Sequence, residues 1–223
     1  MSINPPDTVP DAVPDNATST LPMLLVGTTN AGKIREFRDL LADLPARIVF
    51  PNDLGIDLEV EEGETSFLQN AKLKARAFLR ASGVLTIGED SGFGVDAMDG
   101  APGVISARWG GADYGVKNQR IIDNLDGLTG VQRRCHYISV IAIATPEGRI
   151  YQRTGWLRGE VAQAPAGTGG FGYDPIFLLP DRGKTLAELD AAEKHAISHR
   201  GLAVAKALPL LRTLLAASGP ANR

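Results

Sequence analysis

Cysteine is nearly missing: Cys135 is the only one in 223 residues, so no disulfide can staple the chain to itself. Histidine is scarce as well, at three, which leaves too few Cys and His ligands for a tetrahedral zinc site. No apolar run approaches the roughly 18–20 residues of a membrane-spanning helix. The N-terminus lacks a basic region followed by an apolar one, so it does not read as a secretory signal. A basic surplus is missing too. Lys and Arg total 23 against 26 Asp and Glu, a net charge of −3. Asp7, Asp11 and Asp15, in a stretch without Lys or Arg, account for that deficit, and the rest of the chain is formally neutral. A neutral globule without a basic stripe is a poor grip for a nucleic-acid polymer. These absences lead to the expectation of a cytoplasmic protein with neither membrane nor polymer as partner.

What is present supports a folded domain. Hydrophobic residues make up 43% of the chain, enough to bury a core at this length. Residues 1–20 hold four prolines and no apolar periodicity, and read as a disordered acidic tail. Residues 21–223 read as one domain. Met23 to Val26 is a short apolar run of strand type. After the turn Gly27 to Gly32, a helix carries Ile34, Phe37, Leu40 and Leu41 on one face. Arg47 to Phe50 suggests the next strand. Ser66 to Gln69 has capping-box form and opens a helix to about Ala81. Val84 to Ile87 reads as a strand that ends at Glu89-Asp90-Ser91-Gly92. A Gly- and Pro-rich loop reaches Arg108, and a helix follows from Tyr114 to Leu125. His136 to Thr145 and Gly148 to Trp156 form a hairpin. The last helix spans about His199 to Ala217, with a kink expected at Pro209. Early alternation of strand and helix followed by a hairpin points to an α/β fold with a mixed sheet and flanking helices.

Four groups of residues carry chemistry. Gly27 to Lys33 reads G-T-T-N-A-G-K between a strand and a helix, where free amides and the helix dipole favour phosphate. It matches most of a P-loop, but the next residue is Ile34, which cannot hold Mg²⁺ as the motif's Ser or Thr does. Thr28, Asn30 and Lys33 remain candidates for phosphate oxygens, while an ordinary strand-to-helix turn explains the same residues. The acidic cluster Glu59, Glu61, Glu62 and Glu64, with Glu89 and Asp90 at a strand end, offers hard oxygen ligands suited to Mg²⁺. A solvated acidic face is the competing reading for Glu59 and Glu64. Gly167 to Pro175 packs glycines around Phe171 and Tyr173, either of which could stack on a flat base or fill the core. His199 and Arg200 open the last helix, at the end where cations are disfavoured; an anionic or polar ligand there would repay that placement.

Taken together, these segments resemble the inosine/xanthosine triphosphate pyrophosphatase family over residues 23 to about 215. The motifs are G-T-T-N-A-G-K-I-R-E, S-F-L-Q-N-A-K-L-K-A, E-D-S-G-F-G-V-D-A-M-D-G-A-P-G-V-I-S-A-R, G-T-G-G-F-G-Y-D-P-I-F and E-K-H-A-I-S-H-R-G, in that order. The resemblance implies an elongated sheet in two lobes around a central nucleotide-binding cleft, a homodimer, and a need for Mg²⁺. It implies hydrolysis of ITP, dITP and XTP to the monophosphate and pyrophosphate. By the same resemblance the phosphate loop falls on Thr28, Asn30 and Lys33, with Lys74 as a second phosphate-side lysine. Metal-binding carboxylates fall on Glu62 and Asp90, with Glu61 and Glu89 beside them. Asp90 matches the general base, and Ser91 stands with the substrate-binding residues. Base recognition falls on Phe171, Tyr173, Asp174, Lys194, His199 and Arg200. Thr29 stands where the family often has Gly, Gln69 where Glu is common, and Phe93-Gly94 replaces the usual Leu and its neighbour. The rival expectations are a pyrophosphatase for other modified nucleotides, a nucleotide-binding regulator without turnover, and a P-loop NTPase.

Overall fold

The computed structural model describes residues 21–217; the tail expected over 1–20 lies outside the described residues. Strand β1 (Met23–Val26) leads to helix α1 (Ala31–Leu40), β2 (Arg47–Val49) and helix α2 (Phe67–Ser82). Then come β3 (Thr86–Val95), α3 (Tyr114–Asn124), β4 (Arg134–Ala144) and β5 (Ile150–Val161). Two short strands, β6 (Phe177–Leu179) and β7 (Lys184–Thr185), precede α4 (Ala191–Ile197) and α5 (His199–Ala217). The strands form one seven-stranded sheet in the order β2-β1-β3-β4-β5-β6-β7. The first three run parallel and the remainder antiparallel, so the mixed α/β sheet is as expected. No helix among the described residues is long and apolar enough to cross a membrane.

The local signals act as physical chemistry requires. The Asn30 side chain caps α1 by accepting from the Lys33 amide, and Ser66 caps α2 by accepting from the Gln69 amide. Gly83, in the left-handed region at φ 72°, closes α2. Phe37 and Leu41 of the α1 stripe are fully buried against Leu24, Ile87 and Ile141 of the sheet and Val204, Ala207 and Leu211 of α5. Helix α5 keeps a buried stripe at 200, 203, 204, 207, 211 and 215, the spacing of one helical face. It is helical on both sides of Pro209. At the other end of the sheet, α3 packs Ile121 and Ile122 into a second cluster with Phe93, Tyr137 and Phe177.

One boundary is corrected with consequences for the site. The strand expected to end at Glu89-Asp90 runs on to Val95, because β4 pairs with all ten of its residues, Thr86 opposite Ala144 through Val95 opposite Cys135. The acidic pair is therefore in mid-strand, and its two side chains leave on opposite faces of the sheet. The hairpin is longer too, reaching Val161 rather than Trp156.

Each face of the sheet seats a helix on a glycine. A methyl group at Gly88 would run into the backbone of Ala71 and Ala75 on α2. At Gly155 it would run into His199 and Ala203 on α5. Backbone cannot yield as a side-chain tip can. We therefore expect Gly88→Ala and Gly155→Ala each to cost about 3 kcal/mol or more in urea unfolding; a wild-type midpoint for either would contradict this seating.

Candidate active site

Strand β1 pairs with β3 only at Thr86 and Ile87, and the Gly27 amide closes the ladder on the Ile87 carbonyl. Past that point β3 loses β1 as a neighbour. A cleft of about 360 Å³ opens there, walled by the Gly27–Asn30 turn, Asp90 to Phe93 of β3, and the Phe171–Asp174 loop. All of the proposed residues line it: Thr28, Asn30, Lys33, Glu62, Lys74, Asp90 and Ser91 among the first motifs, Phe171, Tyr173 and Asp174 in the glycine loop, and Lys194, His199 and Arg200 at α4 and α5.

On the α2 side of β3, Lys74 gathers two carboxylates of the cleft. Lys74 on α2 places its ammonium 2.9 Å from Glu62 and 3.3 Å from Asp90, and donates to the Glu89 carbonyl. The Asn70 amide donates to the other Asp90 oxygen at 3.0 Å and to the Gly63 carbonyl, while its own oxygen accepts from the Gly63 amide. Asn70 thus ties the acidic stretch before α2 to Asp90. Burial raises the Asp90 pKa above the ordinary aspartate value, and the nearby Lys74 and Lys33 only partly offset it. Burial works against the charged Lys74 as well, but Asp90 and Glu62 outweigh it and raise its pKa.

On the opposite face of β3 lies a buried chain of alternating charges. Asp174 meets Lys194 at 2.7 Å, and Lys194 meets Glu36 at 2.5 Å. Glu36 pairs with Arg200, and Arg200 meets Glu89 at 3.1 Å. Glu89 ends the chain on Lys33 at 2.7 Å, and also accepts from the Ser139 hydroxyl. Burial pushes the Glu89 carboxyl up, but Arg200 and Lys33 overcome it and hold its pKa well below the usual range. Glu36 behaves alike: Arg200 and Lys194 overcome burial and hold it at about 2.

The cation at the start of α5 is paired with the protein's own Glu36 and Glu89. Of the five guanidinium N–H groups, one bond each to Glu36 and Ser91 and two to Glu89 take four, and one on Nη1 has no partner among the described residues. The structure also separates the two stacking candidates. Tyr173 is 2% exposed, stacked on Phe93 at 4.8 Å with its hydroxyl on the Ser106 carbonyl. Phe171 is half-buried over Gly32, with Lys194 and Arg200 about its ring at 5.3 and 5.7 Å. His199 stacks on Tyr137 at 4.3 Å, and its buried Nδ1 has no partner among the described residues. Burial, reinforced by Arg200, pushes its pKa well down, so the imidazole is neutral at pH 7.

Sequence reasoning missed Glu36 and Asn70 as parts of the site. Glu36 lies in the first motif but reads as a polar position of an amphipathic helix. Only the 7% exposure of that carboxylate marks it.

A profile of the Ham1 family matches residues 24–210. This chain belongs to the Ham1 family. It is 43% identical over 197 residues to a dITP/XTP pyrophosphatase of Nostoc sp., covering 88% of this chain and 97% of that one. It is 44% identical over 194 residues to the dITP/XTP pyrophosphatase of Shigella flexneri, covering 85% and 98%. Among solved structures, a HAM1 protein from Coxiella burnetii superposes with a TM-score of 0.76 at 33% identity, covering 88% of this chain and all (100%) of that one.

The Glu36 pairing sets an acid-side dependence. Its folded pKa of about 2 lies below the unfolded value near 4.5. The stabilisation is therefore complete above the unfolded value and is lost as pH falls through it toward 2. The shift corresponds to roughly 3 kcal/mol. Glu36→Gln leaves Lys194 and Arg200 short of a counter-charge and is expected to cost about 3–5 kcal/mol at pH 7. It should also flatten the stability slope between about pH 5 and pH 2. Urea unfolding across that range checks both; an unchanged slope would contradict the pairing.

Proposed function

We propose that this Ham1-family chain hydrolyses the non-standard purine nucleoside triphosphates ITP, dITP and XTP to the monophosphate and pyrophosphate. The observation that carries the reading is the lining of one cleft, which holds Lys33, Lys74, Glu62 and Asp90 together with Phe171, Lys194, His199 and Arg200. The curated relatives named dITP/XTP pyrophosphatase support the same reading.

The donor chemistry of the carboxylates beside Lys74 fits Mg²⁺, which takes hard oxygens from one or two carboxylates and completes its shell with water and substrate phosphates. Glu62 and Asp90 would hold it; their carboxylates already converge on the one Lys74 ammonium. When bound, the ion would supply charge neutralisation for the triphosphate. Lys33 and Lys74 spread the same negative charge, and the α1 N-terminus with Thr28 and Asn30 receives phosphate oxygens. Asp90 takes the proton of the attacking water, whose oxygen bonds to the α-phosphorus. The bond from that phosphorus to the bridging oxygen breaks, and pyrophosphate leaves. Most of the acceleration comes from positioning and preorganised charge.

Base choice follows from hydrogen-bond sense. Inosine and xanthosine carry a carbonyl at purine position six, where adenosine carries an amino group. The spare Arg200 N–H and the neutral His199 imidazole suit the carbonyl, and an amino group would leave the Arg200 donor unpaired. Sites of this kind discriminate by about 10⁴ or more. Phe171 offers the ring for the base, and Asp174, which accepts from the Phe171 amide at 2.8 Å, fixes its loop. A homodimer and a cytoplasmic setting belong to the same proposal.

The test is product identity. Purified protein with Mg²⁺ is given ITP, GTP and ATP separately, and pyrophosphate and inorganic phosphate are assayed in parallel. We expect pyrophosphate from ITP, far faster than from ATP or GTP. Inorganic phosphate alone would point to γ-phosphate cleavage, and ITP bound without product would point to a regulator.

A further inference from the structure

Lys117 on α3 is fully buried (0% exposed), yet no carboxylate pairs with it among the described residues. Such a charge is costly unless hydrogen bonds satisfy it, and burial pushes its pKa down. Its ammonium donates to the Ala107 carbonyl at 2.7 Å and reaches the Ser106 carbonyl at 3.5 Å. It also sits 4.2 Å from the centre of the Tyr114 ring. The neighbouring Asn118 donates to the Gly172 carbonyl at 3.2 Å, while its own buried oxygen has no partner among the described residues. Neither side chain lines the cleft, but every group they hold does: Ser106 and Ala107 in one loop, Gly172 in the other, and Tyr114 between. Tyr114 meets Tyr173 edge-on at 5.2 Å, and Tyr173 donates to the same Ser106 carbonyl. One turn of helix thus clasps both loops of the wall that carries Phe171. Lys74, Glu62 and Asp90 hold one another from α2, the stretch before it and β3, and neither Lys117 nor Asn118 bonds to them among the described residues.

We propose that Lys117 and Asn118 are positioning residues that set base selection, by fixing the 106–107 and 171–174 loops in register, while leaving the hydrolytic step alone. The proposal rests on the reading above, that the glycine loop receives the base. A merely structural role would lower the amount of folded protein and scale all substrates alike. A positioning role splits KM from kcat and alters the ratio between substrates.

The experiment measures steady-state kinetics for ITP and ATP with the full chain carrying Lys117→Met or Asn118→Leu, alongside thermal unfolding. Lys117→Met keeps the length and removes the ammonium. Asn118→Leu loses one neutral hydrogen bond to the Gly172 carbonyl together with an oxygen that has no partner among the described residues, so it is expected to fold, with a smaller loss of stability than Lys117→Met. For each folded variant we expect KM for ITP to rise about tenfold, with kcat within about threefold. The ITP-to-ATP ratio of kcat/KM should fall about tenfold. A folded Asn118→Leu protein with wild-type KM and ratio would overturn the proposal while leaving the activity in place. A wild-type protein that releases pyrophosphate from no nucleotide would overturn the functional reading, and this proposal with it.

Discussion

Glu89 is a carboxylate 1% exposed in the middle of a sheet. Removing a charge from water costs several kcal/mol unless it is paired and hydrogen-bonded. Glu89 meets that demand with Arg200, Lys33 and the Ser139 hydroxyl, and the rest of the site follows. Arg200 must stand at the first turn of α5, and so α5 must press on β5 at Gly155. Glu36 must come from α1 to balance Arg200, and Lys194 from α4 to balance Glu36. The phosphate-loop lysine and the glycine-loop aspartate are thereby the two ends of one chain of charges. Such a network is weak evidence for stability against an apolar alternative, but breaking it at any single member leaves an uncompensated buried charge.

The neighbouring residue has the opposite fate. Strand alternation sends Asp90 to the α2 face, where its carboxyl meets Asn70 and Lys74 and faces the cleft. Its pKa is raised where that of Glu89 is lowered. Two adjacent carboxylates with environments that push their pKa values apart are suited to different tasks. One holds the scaffold charged at all ordinary pH values, and the other is able to take a proton.

Much of the fold was legible because it is local. The cap at Ser66, the apolar stripe of α1, and the hairpin are short-range signals. The family motifs located the cleft residues because each motif is one short contiguous run of the chain. What escaped reading is long-range. Glu36 and Arg200 are partners across 164 positions, and nothing in the spacing around either announces the other. The length of β3 was missed because its glycines read as a stop. In the fold Gly88 and Gly92 are places of close approach, to α2 and to the Gly103 carbonyl with the Phe67 ring. Lys117 was invisible because a lysine on a helix ordinarily faces water.

The claim at the centre is the division of labour between residues 89 and 90, and paired amide substitutions test it most directly. Glu89→Gln and Asp90→Asn would be compared for unfolding free energy and for pyrophosphate release from ITP. The account predicts that Glu89→Gln loses about 3–5 kcal/mol of stability. Asp90→Asn should stay as stable as the wild type, because burial already disfavours its charge, and lose turnover by about 2–4 kcal/mol in the barrier. An Asp90→Asn protein with near-normal turnover, or a Glu89→Gln protein as stable as the wild type, would contradict it.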